Sequence, residues 1–113
     1  MEQSILKNID LAQVLTLKNL VDYQHGQIVS KTFVQNKNVS MTLFAFSKGE
    51  EISTHSSHGD AFVYVMDGNG EFTVGDTVHK VTEGQVLVMP AEIPHAVYAA
   101  TDFKMLLVVV FPS

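Results

Sequence analysis

The stretch HSSHGDAFVYVMDG, residues 55–68, decides the fold of this chain and poses its main functional question. It places His55, His58 and Asp60 within six positions, directly before the apolar run of residues 61–66. The β-branched and aromatic residues of that run favour a strand, and the Asp-Gly-Asn-Gly that follows favours a turn. Histidines this close together beside a strand either bind a metal or line a pocket, and the stretch alone leaves both interpretations open.

Similar β-prone runs recur on both sides of this stretch, each bounded by turn residues. Gly-Asp-Thr at 75–77 fits a tight hairpin between two of them. Short strands with frequent turns indicate an antiparallel sandwich or barrel, which we expect to be one domain spanning residues 1–113. The segments predicted as strands are 28–34, 39–46, 61–66, 71–74, 78–81, 86–89, 95–99 and 103–111.

Residues 1–20 form an opening segment that precedes the first predicted strand. Asp10 is expected to cap a short helix with Leu11, Val14 and Leu15 on one face, since aspartate is a preferred N-cap residue. An extended segment is the alternative. Helical periodicity is lost after this point.

Composition excludes several classes of protein. The chain of 113 residues is 46% hydrophobic and 17% charged, which is enough apolar surface for a packed core. A net charge of -5 without a basic cluster argues against nucleic-acid binding. The lack of cysteine excludes disulfides and thiolate metal sites. The first ten residues do not resemble a secretory signal and no apolar run could cross a bilayer, so we expect a cytoplasmic protein that does not bind membranes.

Two segments of the chain resemble the paired motifs of the cupins. Gly49, five residues and then His55, followed by a strand and Gly68, is similar to the first motif, G-x5-H-x-H-x3,4-E-x6-G. Gly84, five residues, Pro90, four residues and His95 is similar to the second, G-x5-P-x-G-x2-H-x3-N. Motif one spans 49–68 and motif two spans 84–99. The resemblance implies an all-β fold, the RmlC-like double-stranded β-helix or jelly-roll barrel of a small single-domain cupin.

Only part of the metal-binding set of the cupins is present. The family binds its metal with three histidines and one glutamate, and His55 and His95 match two of these positions. His58 and Asp60 lie one residue away from the two missing ligands and are the candidate replacements. The family's remaining motif positions are occupied by Ser57, by Ala61 or Phe62, by Glu92 and by Ala99.

Strand alternation argues against these replacements. A shift of one residue turns a side chain to the opposite face of a strand, unless a bulge at 56–59 restores its direction. A subgroup of small cupins, with the pattern H-x-x-x-G-D-A-x-x-Y-V-x-x-G, is also similar to this chain and includes the aspartate at Asp60. Otherwise, His58 is an exposed loop residue, and Asp60 caps a turn through its own hydrogen bonds.

Further side chains are candidates for lining the same pocket. His79 shares strand parity with Val81, so it is either a pocket residue or a buried, hydrogen-bonded imidazole. Ser57 and Tyr64 are the other candidate pocket residues. Glu92 lies in the motif-two loop, where it is either a replacement carboxylate or solvated. Most apolar residues, including Met89 and Met105, are expected in the core.

The sequence leaves two functions open. The first is a cupin that binds a divalent transition metal (Zn, Ni, Fe, Mn or Cu) through His55, His95 and His58, and acts on a small organic molecule as a dioxygenase, isomerase or decarboxylase. The second is a cupin that binds a small ligand without catalysis and has a degenerate or empty metal site. The chain has no arginine, which argues against a phosphosugar substrate. Strands that are apolar on both faces predict a homodimer.

Overall fold

Short β-prone runs separated by turns form nine strands and one 3-10 turn in the described part of the chain. The structure is a computed structural model in which residues 5–113 are described. All strand pairs are antiparallel, as expected for strands joined by short turns. The strands are β1 Ile28–Gln35, β2 Val39–Phe46, β3 Glu51–His55, β4 Asp60–Asp67, β5 Asn69–Val74, β6 Thr77–Thr82, β7 Val86–Met89, β8 His95–Ala99 and β9 Phe103–Val110.

The strands form two sheets, with orders β1-β2-β9-β4-β7 and β3-β8-β5-β6. Inward side chains from both sheets meet in one hydrophobic cluster, so the sheets pack face to face as in a jelly roll. Phe103 lies at the centre of this cluster. Its ring stacks on Phe46 with centroids 4.5 Å apart and meets Phe72 edge-on at 6.0 Å. The predicted all-β jelly roll is therefore confirmed.

The predicted strands match the structure closely, with one omission. The hairpin between β5 and β6 turns at Gly75 and Asp76, and Gly75 has the positive φ of +58° that favours glycine. Sequence patterns missed β3, because only Ile52 among its five residues is apolar. This strand nevertheless carries His55, one of the two motif histidines.

The N-terminal segment has one 3-10 turn and otherwise no helix, which is consistent with the predicted extended alternative and not with a helix capped by Asp10. Leu11 is 56% exposed and Val14 is fully exposed, so the expected apolar face has nothing to pack against. A single helical turn is too short to be stable without such packing, and no helix follows Asp10. The helical turn that forms is a 3-10 turn at Leu17–Leu20. Residues 1–4 of the expected opening segment lie outside the described residues.

The segment after this turn packs on the outer face of the first sheet. It contributes Val21 to a second hydrophobic cluster that also contains Phe33, Leu43, Ala45 and Met66. The Tyr23 hydroxyl donates to Asp67 Oδ2 at 2.7 Å, and burial together with this carboxylate raises the pKa of Tyr23. Lys104 is buried beneath the segment, with Nζ donating to Lys18 O at 2.7 Å. These bonds fasten the segment to β4 and β9.

Gly68 shows why the end of β4 needs glycine. Its φ is +70°, and a Cβ atom there would collide with the carbonyl oxygen of Asp102. The neighbouring strands therefore approach β4 more closely at this turn than any side chain permits.

Within residues 5–113, no helix is long and apolar enough to cross a membrane.

Candidate functional site

A β-bulge in β3 brings the two motif histidines together. His55, the last residue of β3, is the cross-strand partner of His95, the first residue of β8. Ile52 pairs with Val97, so three steps along β3 match only two steps along β8. The extra residue turns His55 to the same face as Ile52, which strict alternation would not allow.

The two imidazole rings are in edge-to-face contact. Their centroids are 4.2 Å apart and their planes are inclined by 68°. His95 is buried, with 4% of its surface exposed, whereas His55 is exposed at the rim. One imidazole therefore lies inside the barrel, and the other is open to solvent at its mouth.

Each ring is oriented by a backbone carbonyl two residues earlier. His55 Nδ1 is 2.8 Å from Ser53 O, and His95 Nδ1 is 3.1 Å from Ile93 O. Because a carbonyl oxygen can only accept, each neutral ring carries its proton on Nδ1 and keeps a free lone pair on Nε2. Burial lowers the pKa of His95, and the neighbouring His55 lowers it further, against the opposing effect of the Ile93 carbonyl.

The histidine pair lies at the edge of an apolar cavity of about 210 Å³. This is smaller than the roughly 300–1,000 Å³ of pockets that hold drug-sized ligands. Among residues 5–113, Ser57 is the only other polar side chain of its lining, and no carboxylate of this range lines it. The apolar walls are Ile52, Ala61, Met89, Val97, Met105, Leu107 and Val109.

The sequence predicted Met89 and Met105 in the core and did not connect them with the site, whereas Ala61 was marked only as a motif position. The sequence nonetheless contained the information needed to place Val97 in the cavity lining. It lies two residues after His95 on β8 and therefore faces the same side of the strand.

His58 and Asp60 do not join the histidine pair. His58 Nδ1 lies 2.9 Å from Glu92 Oε1, and 86% of the His58 side chain is exposed. Asp60 Oδ1 accepts the backbone N–H of Ala91 at 2.8 Å. Both residues line a shallower surface pocket outside the barrel mouth. The register shift lies before His55 and not at residues 56–59, so alternation along β4 turns Asp60 away from the cavity, while His58 lies in the loop before β4.

The other two expected pocket residues also lie elsewhere. Tyr64 packs with the outer cluster, because Ala61, Val63 and Val65 take the inward positions of β4. His79 lines a separate surface pocket. Its strand, β6, is at one end of the order β3-β8-β5-β6, and His55 is at the other. Strand parity predicted that His79 shares a face with Val81, but it could not predict how far His79 lies from His55.

Glu92 occupies the position of the second-motif glycine and adopts a positive φ, which favours glycine. Its φ is +69°, in the left-handed region that non-glycine residues adopt at a cost. The Glu92 N–H donates to Ser57 O at 2.7 Å, which joins the two motif loops. The Asp60–Ala91 bond is a second tie between the same loops. The Glu92 backbone and the Asp60 carboxylate thus join the two motif loops outside the cavity.

The donor set does not fit the three histidines and one carboxylate of the cupin metal site. Catalytic zinc sites use three protein ligands, and this cavity offers two imidazoles. Within residues 5–113, no three side chains of His, Cys, Asp or Glu lie close enough together to bind a metal ion. The Nδ1–carbonyl bonds do resemble the outer-shell bonds that orient metal-binding histidines.

Comparison with known proteins establishes the family. Residues 42–111, more than half of the chain, match the Cupin domain, and the protein belongs to the cupin family. A conserved protein of unknown function from Streptococcus pyogenes, SPY1581, is 46% identical over 98% of this chain and 97% of its own, with a TM-score of 0.97.

Two further relatives support the same assignment. A cupin superfamily protein from Desulfitobacterium hafniense, DSY2733, is 28% identical over 96% of this chain and 100% of its own, with a TM-score of 0.91. The uncharacterized protein SCO3923 from Streptomyces coelicolor is 29% identical over 71% of this chain and 76% of its own length.

Proposed function

We propose that this cupin binds a small, mainly apolar organic molecule that carries one hydrogen-bond donor. The observation that carries the proposal is the pair of Nδ1–carbonyl bonds at the edge of an apolar cavity. These bonds leave two Nε2 lone pairs as acceptors, while the cavity walls offer only van der Waals contact. A phenol or alcohol of few heavy atoms has the matching chemistry.

The apolar walls supply most of the expected affinity, and the imidazoles supply selectivity. Burial of a compact ring contributes about 25 cal/mol per Å² of apolar surface. A hydrogen bond from the ligand to Nε2 adds roughly 0.5–1.5 kcal/mol, since the ligand exchanges it for a bond to water. The buried His95 is the stronger candidate acceptor because less water competes for its lone pair.

Titration of methyl-labelled protein with phenol and with anisole, followed by NMR, tests this proposal. Phenol should perturb the methyl groups of Val97 and Val109 saturably, and it should bind up to about tenfold more tightly than anisole, which has no donor. His95→Leu should abolish this difference and His79→Leu, outside the cavity, should preserve it. If phenol, anisole and cyclohexanol all leave the Val97 and Val109 signals unchanged, the proposal is wrong.

A divalent metal, which the family implies, has weaker support. The same holds for the dioxygenase, isomerase or decarboxylase chemistry that would depend on it. Two imidazoles without a carboxylate bind such an ion less firmly than the complete set. Elemental analysis of untagged protein is the direct measurement. Less than about 0.1 equivalent of transition metal after soaking and desalting would exclude this function. The cytoplasmic location also stays a prediction.

We further propose that the protein is a homodimer that buries the outer face of the β9-β4-β7 sheet region. Phe62 is 41% exposed and lies directly opposite Val88, which is 49% exposed. Val86 and Val110, each 55% exposed, extend the same face. An apolar face of this kind is typical of a surface covered by another subunit. A second copy of the chain has the complementary chemistry.

A further inference from the structure

The outer face of the first sheet is only half covered by the chain itself. On β4, the exposure of the outward side chains rises from 6% at Met66, through the partly buried Tyr64, to 41% at Phe62. On β9, Leu106 packs with the outer cluster, whereas Val110 is 55% exposed. Because Tyr64 pairs with Leu106, the two strands become exposed in the same direction. One end of this face is core, and the other end is open to solvent.

The N-terminal segment covers the buried half of this face. It begins at the edge strand β1, where Asn8 Nδ2 donates to Thr32 O at 2.8 Å. It reaches β9 at the 3-10 turn, where Lys18 O accepts a hydrogen bond from Lys104 Nζ at 2.7 Å, and the turn also contacts β4. In the strand order β1-β2-β9-β4-β7, residues 9–17 therefore cross β2 and stop short of β7.

The middle of this crossing presents apolar side chains to solvent. Ile9 and Leu17, at its two ends, pack against the outer cluster. Every residue between them, from 10 to 16, is exposed, and we name these seven residues the crossing loop. Leu11 is 56% exposed and Val14 is fully exposed. Since the loop already lies on its own sheet, another molecule is needed to bury these side chains.

The backbone of the crossing loop is strained at its centre. Ala12 adopts φ +55°, in the left-handed region that a residue with a Cβ atom enters at a cost. Such a conformation persists where the surrounding structure imposes it. Leu11 and Val14, on either side of Ala12, are both exposed, so the single chain packs nothing against this turn.

The open half of the sheet is too small to hold a stable dimer together by itself. Stable interfaces bury roughly 800 Å² on each partner, from about 20–30 residues. The open half offers four apolar side chains, each about half exposed, which are Phe62, Val86, Val88 and Val110. In a two-fold dimer each contact occurs twice, so a loop that packs on the partner's sheet enlarges the interface at both ends.

We propose that the crossing loop of each subunit packs on the open half of the first sheet in the other subunit, with Leu11 and Val14 against Phe62 and Val88. This inference rests on the proposed homodimer and names the segment that completes its interface. Within one chain, Leu17 covers the other half of the same face. The dimer therefore repeats between subunits the packing that the N-terminal segment already makes within each of them.

Cross-linking between two different variants tests the contact directly. The chain has no cysteine, so an introduced thiol is the only one in its subunit. Val14→Cys is mixed with Val88→Cys, incubated to allow subunit exchange and treated with a short bismaleimide. We expect a cross-linked pair that mass spectrometry identifies as one copy of each variant. Val78→Cys, 60% exposed on β6, replaces Val88→Cys in the control mixture and should give little product. Equal yields from the two mixtures would overturn the inference.

A charge in the crossing loop separates this inference from the dimer proposal. Val14→Glu should weaken dimerisation at least tenfold in sedimentation equilibrium, because it buries a carboxylate against the partner's apolar face. Val14 is fully exposed in the single chain, so the fold should be kept, which circular dichroism checks. Ile5→Glu, at an 81% exposed position outside the crossing loop, should leave dimerisation unchanged. If Phe62→Glu separates the subunits and Val14→Glu does not, the inference is wrong and the dimer stands. A monomeric wild type would overturn both.

Discussion

His55 faces His95 because three steps along β3 lie opposite two steps along β8. Without the extra residue, His55 would point away from the barrel, because Ile52 faces inward and lies three residues earlier on the same strand. A single extra residue therefore creates the pair on which the proposed binding functions depend. The bulge also includes Ser53, whose carbonyl oxygen orients the His55 ring.

The stability of the metal-free protein should fall as the pH falls below about 6.5. Burial lowers the pKa of His95 from its ordinary value of 6.5, so the unfolded chain binds a proton at a higher pH than the folded chain does. The contribution of His95 to the free energy of unfolding is fully present above its pKa in the unfolded chain. It is lost as the pH decreases toward its pKa in the folded protein. Urea unfolding of the wild type and of His95→Gln between pH 7.5 and 5 measures it. Equal pH dependence in the two proteins would contradict the assignment.

Glycine at position 92 should be more stable than alanine by about 1–2 kcal/mol. Glu92 adopts φ +69°, a conformation that costs this amount for a residue with a Cβ atom. Its contact with His58 is largely exposed and contributes little to offset the strain. Thermal unfolding of Glu92→Gly and Glu92→Ala compares the two directly, and both lack the His58 contact. A more stable alanine variant would show that the loop relaxes.

Gly68→Ala should destabilise the protein considerably more than Gly84→Ala. Both glycines have positive φ, +70° and +87°, and therefore share a backbone penalty of about 1–3 kcal/mol. A Cβ atom at Gly68 also collides with Asp102 O, whereas one at Gly84 meets nothing within 4 Å. Chemical denaturation of both variants isolates the steric part. Equal losses would mean that the turn at Asp102 moves aside.

Tyr23→Phe should lower the free energy of unfolding by about 1 kcal/mol. The change removes the hydroxyl that donates to Asp67, a part-buried hydrogen bond between the N-terminal segment and β4. Tyr98 is 42% exposed, and Tyr98→Phe is the control, with an expected effect within about 0.5 kcal/mol. Urea denaturation measures both. A Tyr23→Phe variant as stable as the wild type would show that this bond does not fasten the segment.

The proposed dimer makes a prediction about mass in solution. Multi-angle light scattering should give twice the chain mass of 12.4 kDa at micromolar concentration. Phe62→Glu should shift the mass to that of one chain, because it places a charge on the apolar face. Val78, 60% exposed on β6, is the control position, and Val78→Glu should leave the mass unchanged. A wild-type protein with the mass of one chain would exclude the dimer.

Much of the fold could be predicted from local sequence. The bounds of β2, β7 and β8 follow from β-prone runs between turn residues, and these preferences act over a few neighbouring residues. The motif spacing identified His55 and His95, and it also marked the glycine position at which Glu92 keeps a positive φ. Strand alternation predicted that His58 and Asp60 face away from the cavity, and neither belongs to its lining.

The tertiary structure decided which of these residues meet. Three features depend on pairing between distant segments: the bulge in β3, the separation of His79 from His55 by the order of the strands, and the place of Met89 in the cavity lining. Such pairing is set by how two sheets pack together, and a side chain's local sequence carries little information about it. Sequence therefore determined most of the strands and the two motif histidines, whereas packing determined the cavity that these histidines share.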